Sequence, residues 1–430
     1  MLDSRRTSGN FTVMRIPWVE LFSCAFLAAA LPLAAQSDWP EFRGSTGQGH
    51  AESPKLPLRW SQSENIVWKQ PVPGVGWSSP IVYRDTIYLT TALLDEAGHP
   101  TSLRALAYDL PSGRPLWNHE VFPVATRSGK HSKTSHASPT PVAEGDRLYV
   151  HFGHLGTAAM DLAGQVVWRQ TELAYSPVHG NGGSPILFAD KLIFNCDGGS
   201  DPFIVALDKL TGAVKWRVPR PTTAKSKFSF STPLIIEVAG RPQLITPGSG
   251  MVNALDPADG RELWRANYGE GYSVVPRPVF GHGMIFIGTG YDRPWAYGIK
   301  VDGTGDVTDT HVAWKISRGA PNTPSMLLVG DELYFVADNG VASCVDARTG
   351  ELQWNERLGG DMSASPIHAN GRIYFTNERG RNFVVKAGKQ FELLADNDLG
   401  ERTLASPAVS GPSLFIRTEN HLYRIQEPTL

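Results

Sequence analysis

Five stretches of the chain repeat one short pattern, in which an aspartate is followed by a glycine and then by a tryptophan. In four copies the glycine comes four residues after the aspartate and the tryptophan eight residues after it. These copies are Asp109–Trp117, Asp208–Trp216, Asp256–Trp264 and Asp346–Trp354, and a fifth with a turn one residue shorter is Asp161–Trp168. Self-similarity at a period of 40 to 51 residues indicates a repeat architecture.

Each repeat contains four strand-length runs that are rich in β-branched and aromatic residues. In one unit these runs are residues 184–188, 190–194, 203–208 and 213–216. Gly212 falls where a short hairpin loop needs a positive φ, and Asp208 can accept hydrogen bonds from the amides of the turn. Four antiparallel strands that end in a buried aromatic are typical of a propeller blade.

Two further markers predict eight blades. The first is a hydroxyl residue and a proline before each inner strand, and it occurs at Ser79-Pro80, Ser138-Pro139, Ser184-Pro185, Thr232-Pro233, Thr323-Pro324, Ser365-Pro366 and Ser406-Pro407, with Val275-Pro276-Arg277-Pro278 filling the one gap. The second is an aromatic on each outer strand: Trp68, Trp117, Trp168, Trp216, Trp264, Trp314, Trp354 and Phe391. The last unit has only three strands, so residues 65–69 are predicted to complete it. The predicted fold is an all-β, eight-bladed propeller of four-stranded antiparallel blades, closed by the N-terminal strand.

The N-terminus has the pattern of an export signal. Arg5, Arg6 and Arg15 precede an apolar stretch at residues 21–35, which ends in small residues. We therefore expect a signal peptide at residues 1–36, a lead segment at 37–64 and the propeller at 65–430. Lipid anchoring at Cys24 is not expected, because the apolar run lies mostly after that cysteine. The mature chain should be exported to the periplasm or beyond, without a transmembrane segment.

Charge and cysteine content narrow the possible partners. A net charge of −2 and a pI of 6.6 provide no basic footprint for nucleic acid. Cys196 and Cys344 fall in the third and sixth blades, so we expect two buried free thiols rather than a disulfide. The expected partner is an unknown small molecule or an exported protein, and the expected oligomeric state is a monomer.

No catalytic or metal-binding motif is present in the sequence. The segments that lead into the inner strands should gather at one mouth of the central channel, where they would form a polar and partly cationic rim. The candidate ligand-binding residues on this rim are Lys133, His136, His179, Asn181, Lys227, Tyr272, Arg318, Asn322, Asp361 and Arg402. The alternative is that these side chains only provide the polar lining that any water-filled mouth requires.

The repeat resembles the quinoprotein repeat of the pyrroloquinoline quinone (PQQ) dehydrogenases. The opening residues 38–44, Asp-Trp-Pro-Glu-Phe-Arg-Gly, together with Trp77-Ser78-Ser79-Pro80, resemble a bacterial group of exported PQQ-like propellers. That superfamily includes the BamB-like lipoprotein of the outer-membrane assembly machinery, which is a non-enzymatic scaffold. It also includes alcohol and glucose dehydrogenases that hold PQQ over a calcium ion.

The resemblance implies an exported, non-catalytic binding or scaffold propeller with no cofactor. One alternative is a PQQ-dependent or sugar-directed oxidoreductase with PQQ and Ca²⁺. Against it, the chain has no adjacent cysteines, and the calcium ligands of that branch match no motif here. A second alternative is a carbohydrate-binding propeller that uses Trp77, Phe228, Phe230 and Tyr272 at the channel mouth, because aromatic faces suit sugar rings.

Overall fold

The computed structural model describes residues 9, 38–53, 55–125 and 127–428. Within these residues the chain forms eight antiparallel sheets that make an eight-bladed propeller, as predicted. Apart from residue 9, the predicted signal peptide at residues 1–36 lies outside the described part of the chain, and so does Cys24. Around the central channel, the first strand of blade 6 contacts the first strands of blades 5 and 7, and the first strand of blade 8 contacts that of blade 1.

Every blade has four strands, and the first of them lies beside the channel. In blades 1 to 4 the strands are Ile81–Tyr83, Thr86–Leu94, Pro100–Asp109 and Pro115–Pro123; Val142–Glu144, Arg147–His151, Thr157–Asp161 and Val166–Gln170; Ile186–Phe188, Lys191–Cys196, Phe203–Asp208 and Val214–Pro219; and Leu234–Val238, Arg241–Gly248, Met251–Leu255 and Glu262–Asn267.

In blades 5 to 8 the strands are Val279–Gly281, Met284–Gly288, Ala296–Lys300 and Val312–Ile316; Leu327–Val329, Glu332–Val336, Val341–Asp346 and Leu352–Arg357; Ile367–Ala369, Arg372–Thr376, Arg381–Lys386 and Leu393–Asp398; and Ala408–Ser410, Ser413–Arg417, His421–Ile425 and Ile66–Pro71. Blades 4 and 7 each gain a short parallel fifth strand. Gly305–Asp306 pairs with the outer strand of blade 4, and His50–Ala51 pairs with the inner strand of blade 7.

The ring closes through the N-terminal strand. Ile66–Pro71 pairs antiparallel with His421–Ile425, and this pairing places Trp68 opposite Arg424. The prediction that this strand is the outer strand of the last blade is therefore confirmed. The pairing ties the two ends of the propeller together and leaves blade 8 with the same four strands as its neighbours.

The repeated pattern joins each blade to the next. The carboxylate of Asp208 accepts hydrogen bonds from the amides of Leu210 and Thr211, at 2.9 and 3.0 Å, and so holds the outer turn of blade 3. Gly212 ends this turn at φ +77°, and a Cβ there would lie 2.6 Å from the ring of Trp168 in blade 2. The glycine is therefore required both for the turn conformation and for close packing on the preceding blade.

The tryptophan indoles continue the connection around the ring. Six of them donate a hydrogen bond to a backbone carbonyl in the following blade: Trp68 to Leu110, Trp117 to Leu162, Trp168 to Lys209, Trp216 to Pro257, Trp314 to Ala347 and Trp354 to Gly388. The exception is Trp264, which donates to Gln243 of its own blade. Blades 4 and 5 are joined instead by Gly305–Asp306, which lies between the third and fourth strands of blade 5 and pairs with the outer strand of blade 4.

The prediction that Phe391 is the eighth outer-strand aromatic is wrong. The outer strand of blade 7 begins at Leu393, and the position opposite Val384, where the other blades carry tryptophan, is occupied by Ala395. Trp60 of the lead segment supplies the missing aromatic, with its ring 6.4 Å from that of Tyr374 and nearly parallel to it. Phe391 instead packs on Trp354 of blade 6.

Two of the predicted inner-strand markers are also displaced by two residues. The inner strands of blades 2 and 6 begin at Val142 and Leu327. The residues two positions before them are Thr140 and Ser325, whereas the predicted markers were Ser138-Pro139 and Thr323-Pro324. The sequence contains hydroxyl residues at both spacings, so the pattern alone did not resolve the register.

Outside the strands, the described residues contain one short helical turn, and both of their cysteines are free. A single turn of 3₁₀ helix, Gly153–Leu155, is the only helix in the described residues. None of the described residues belongs to a helix with the length and apolar character needed to cross a membrane. Cys196 and Cys344 are buried and free, as predicted.

Candidate functional site

The lead segment closes one end of the central channel. Trp39 exchanges two backbone hydrogen bonds with Val82 of blade 1, at 2.8 and 3.0 Å. The guanidinium of Arg43 is buried and donates to the Met326 carbonyl before blade 6, at 2.7 Å. Hydrogen bonds from Ala143, Phe280, His368 and Ser53 connect the same segment to blades 2, 5, 7 and 8. Residues 38–53 therefore form a plug that six blades hold in place.

A buried ion pair fixes the plug below the channel. Arg277 precedes the inner strand of blade 5 and donates from Nε to the Pro233 carbonyl at 3.0 Å. Its second terminal nitrogen lies 3.2 Å from Oε1 of Glu41. Burial raises the pKa of Glu41, while the charge of Arg277 lowers it. A Cβ at Gly47 would lie 2.5 Å from the guanidinium, so only glycine allows the plug to pass this close.

Above the plug, side-chain hydroxyls form a belt around the channel. The backbone amide at a belt position donates to the hydroxyl at the belt position of the next blade, at 2.8 to 3.0 Å. These bonds run from Ser79 to Thr140, Thr140 to Ser184, Ser184 to Thr232, Arg277 to Ser325, Ser325 to Ser365 and Ser365 to Ser406. Arg277 occupies the belt position of blade 5, where the other blades carry serine or threonine.

The opposite end of the channel is an open mouth with a polar and an aromatic side. Lys133, in the segment between blades 1 and 2, places its Nζ 2.8 Å from Oε1 of Glu378 in blade 7. Burial alone would lower the pKa of Lys133, but the hydrogen bond and charge of Glu378 raise it overall. On the aromatic side, Phe228 contacts His179 at 5.0 Å and Tyr272 at 5.4 Å between ring centroids.

The channel between plug and mouth is a cavity of about 310 Å³. Phe42 of the plug lies at its closed end, and the belt hydroxyls form its wall. Trp77, Phe230, Tyr272 and Tyr291 line it together with Lys133, His131 and His179. In the residues that the structure describes, no group of three or more His, Cys, Asp or Glu side chains is arranged to hold a metal ion.

Three of the ten predicted site residues, Lys133, His179 and Tyr272, line this cavity. Arg402 lies at its edge, with its guanidinium 5.3 Å from the ring of Trp77 and 3.7 Å from Glu419. Lys227 is half-buried and Asp361 is exposed. The ligand-binding role of all these residues stays a prediction.

The other four predicted residues lie outside the main cavity. Arg318 and Asn322 line a separate surface depression next to Asp338. Asn181 is buried and donates to the Phe152 carbonyl at 2.9 Å. His136 is 1% exposed, and burial lowers its pKa to about 4, with help from the charge of Lys130. Neither ring nitrogen of His136 has a partner among the described residues.

The sequence pattern indicated neither the belt nor Phe42, which forms the floor of the cavity, as parts of the site. The hydroxyl-proline marker was interpreted only as the start of each inner strand, although the same spacing also turns these hydroxyls towards the channel. Phe42 was noted in the opening residues, but nothing in the pattern indicated that this segment crosses the ring.

Comparison with known proteins adds a family match and several relatives. A family model described as outer membrane protein assembly factor BamB matches residues 58–176, 107–300 and 248–426. The BamB of Moranella endobia is 22% identical over 311 residues, which are 72% of this chain and 66% of that relative. The BamB of Yersinia pestis is 23% identical, with the same coverage of 72% and 66%. The matched stretch thus spans slightly less than two thirds of each relative.

Two solved structures share the fold. The crystal structure of BamB from Moraxella catarrhalis has a TM-score of 0.59 at 13% identity, and the match covers 84% of this chain and 97% of that one. A europium-containing methanol dehydrogenase has a TM-score of 0.54 at 12% identity and covers 88% and 89%. At these identities the likeness concerns the fold alone.

Proposed function

Because the chain belongs to the family of the outer membrane protein assembly factor BamB, we propose that it is an exported, non-catalytic propeller. It binds a ligand or a protein partner at the open mouth of its channel. The observation that carries this proposal is the closure of the channel by residues 38–53. Since one end is closed, the cavity between plug and mouth is reached from the mouth in the part of the chain that the structure describes, and Lys133, His179 and Tyr272 line it.

The chemistry of the lining supports binding without catalysis. Hydroxyls, aromatic rings and one ion pair surround the cavity, and this combination suits recognition by hydrogen bonds and stacking. A calcium ion that carries a quinone needs several charged or carbonyl oxygen ligands directed at one point. The residues around this cavity do not fit that requirement, because the carboxylate of Glu378 is engaged by Lys133 and by the hydroxyl of Ser363.

The absence of catalysis is tested by an assay for PQQ-dependent reduction of a dye. The chain that begins at residue 37 is supplied with PQQ, Ca²⁺ and either alcohols or aldoses, and reduction of an artificial electron acceptor is followed. We expect no turnover above a control that lacks the protein. Turnover that disappears in Asp361→Asn would contradict the proposal and favour the oxidoreductase alternative.

Binding is tested by a thermal-shift screen with four ligand classes: neutral sugars, small anions, extended peptides, and PQQ with Ca²⁺. A ligand that binds only the folded chain raises its melting temperature by mass action. We expect one class to do so, and the shift should shrink in Tyr272→Ala. The matched control is Leu210→Ala, because Leu210 is 66% exposed on an outer turn away from the mouth. If no class shifts the melting temperature, the proposed function is wrong.

Export is proposed from the N-terminal pattern of residues 1–36, and a periplasmic location follows from it. Sequencing the N-terminus of the chain isolated from the envelope of a bacterial host checks this. We expect cleavage close to residue 36, and a chain that retains Met1 in the cytoplasm would refute export.

A further inference from the structure

The closed channel has the hydrogen-bonding character of a sugar site. We propose that it binds a neutral carbohydrate, which enters through the mouth and ends above Phe42. This inference rests on the proposed function, because it names the ligand class of the same channel. Three independent features of the cavity carry it: the unused hydroxyls of the belt, the neutral wall and the aromatic mouth.

The belt presents hydroxyl groups whose donors are not used by the protein. Thr140, Ser184, Thr232 and Ser406 each accept one backbone amide, and within the described residues none of them donates to a protein atom. Each is at most 5% exposed as a residue, and each faces the cavity. A hydroxyl has one donor and two acceptor sites, so each can still donate one hydrogen bond and accept another.

Ser79 adds a hydroxyl with no described partner at all. It is 3% exposed and lines the cavity, and only its backbone amide is engaged, by Thr140. Because Ser79 lines the cavity, a ligand or water that enters it can satisfy this hydroxyl. The belt therefore offers several positions that can both donate and accept, which matches the hydroxyls of a sugar.

Among the described residues that line the cavity, the lysine is paired with a carboxylate, so it is not free to select an anion. The ammonium of Lys133 is paired with Glu378 at 2.8 Å. The guanidinium of Arg277 is paired with Glu41 at 3.2 Å below the floor. Burial lowers the pKa of His179, with a contribution from His131, so its ring is neutral at pH 7. A neutral ligand therefore keeps these pairs intact, whereas a strongly anionic ligand would have to compete with Glu378 for Lys133.

Aromatic rings at both the mouth and the floor provide faces for the apolar side of a sugar ring. Trp77, which precedes blade 1, and Tyr272, which precedes blade 5, line the cavity, and Phe42 of the plug lines it as well. Aromatic faces pack well on C–H groups. The cavity volume of about 310 Å³ is at the small end for ligand pockets, so it suits roughly one or two sugar rings.

The inference is tested by isothermal titration of the chain from residue 37 with glucose, maltose, cellobiose and diacetylchitobiose. Glucuronate serves as the anionic counterpart of glucose. We expect at least one neutral sugar to bind with one-to-one stoichiometry, and glucose to bind no more weakly than glucuronate. Failure of all four sugars, or a clear preference for glucuronate, would overturn the inference.

Two variants and one control link binding to this cavity. Tyr272→Ala removes an aromatic face, and Ser79→Ala removes a hydroxyl that no described residue engages. Each should weaken sugar binding about tenfold without lowering the melting temperature by more than a few degrees. Ser410→Ala is the matched control, because its buried hydroxyl also lacks a partner in the described residues but lies outside the cavity.

The outcomes separate this inference from the proposed function. Sugar binding that both cavity variants leave unchanged contradicts the inference. If peptides, or PQQ with Ca²⁺, shift the melting temperature in the thermal-shift screen while none of the sugars binds, the carbohydrate inference fails although the channel still binds a ligand.

Discussion

Blades 6 and 7 have the same four strands but obtain their packing aromatic from different parts of the chain. In blade 6, Trp354 on the outer strand packs on Tyr334, with ring centroids 6.0 Å apart. In blade 7 the same outer position is Ala395, and Trp60 from the lead segment packs on Tyr374 at 6.4 Å. The comparison shows that the blade interface requires the aromatic volume, whereas the segment that supplies it can differ.

The borrowed tryptophan is held by the blade that it completes. The amide of Trp60 donates to Oδ1 of Asn397 at 2.9 Å, and Nδ2 of Asn397 donates to the Leu58 carbonyl at 3.1 Å. Asn397 lies on the outer strand of blade 7, two residues after Ala395. Blade 7 thus depends on residues that precede the propeller strands, while blade 6 is complete in itself.

The largest expected effect comes from removing the whole lead segment and the closing strand. Deletion of residues 38–70 takes away the floor of the channel, Trp60 and the outer strand of blade 8. We expect loss of cooperative thermal unfolding and aggregation through the exposed strand edge, measured by circular dichroism and light scattering. The reference is the chain that begins at residue 37, and a deleted chain that melts like this reference would contradict the comparison.

Single substitutions should show that the borrowed and the intrinsic tryptophan are equivalent. Trp60→Ala and Trp354→Ala should each lower the free energy of unfolding by roughly 3–5 kcal/mol, because each leaves a cavity at a blade interface. Denaturant unfolding measures both, with the exposed residue Leu210→Ala as a control that should change little. A cost below about 1 kcal/mol for Trp60→Ala alone would show that blade 7 does not depend on the lead segment.

A compensating pair tests whether the two positions share one space. Ala395, Trp60 and Tyr374 belong to the same buried cluster. Ala395→Trp alone should destabilise by roughly 1–3 kcal/mol through overpacking. In the Trp60→Ala background the same change should instead restore stability, and a double-mutant cycle measures the coupling. Additive effects would mean that the two side chains occupy separate spaces.

The smallest expected effect is a pH dependence of stability that arises where the lead segment contacts blade 7. His50 of the lead segment meets His368 of blade 7, with their Nδ1 atoms 3.4 Å apart. Burial lowers the pKa of His50 to about 4, helped by His368 and by Arg43. Burial also lowers the pKa of His368.

Both histidines are harder to protonate in the folded state than in the unfolded state, because burial lowers their pKa. Their contribution to the free energy of unfolding is therefore fully present above pH 6.5 and is lost as the pH falls towards 4. We therefore expect the free energy of unfolding to fall across that window. Unfolding measured at several pH values should show a shallower slope in His50→Gln. An unchanged slope would exclude this pair as the origin.

The fold could be predicted from the sequence because the repeat reports local chemistry that recurs in five blades. The aspartate holds a turn, the glycine allows it, and the tryptophan fills the interface, and the hydroxyl-proline and outer-strand aromatic markers extended the count to eight. The aromatic of blade 7 was predicted wrongly because it comes from a segment that is distant in sequence. The expectation of an aromatic on every outer strand then selected Phe391, which lies close in sequence, rather than Trp60.

The site could be predicted only in part. Lys133, His179 and Tyr272 were found because they lie in the segments that precede inner strands, and those segments meet at one mouth. The belt was missed because serine and threonine are common before prolines, so their pattern indicated strand starts and not a lining. The floor was missed because Phe42 reaches the channel through a crossing of the ring that no local pattern encodes.

The indole bonds between blades all point in the same direction around the ring. Each of the six joins a tryptophan of one blade to the turn of the next. Such an interface is heterologous: the two surfaces differ, and a closed ring leaves neither surface free. An arc of only a few blades would therefore carry a donor surface at one end and an acceptor surface at the other. We expect such arcs to add head to tail into rings or open filaments, and not to form two-fold symmetric dimers.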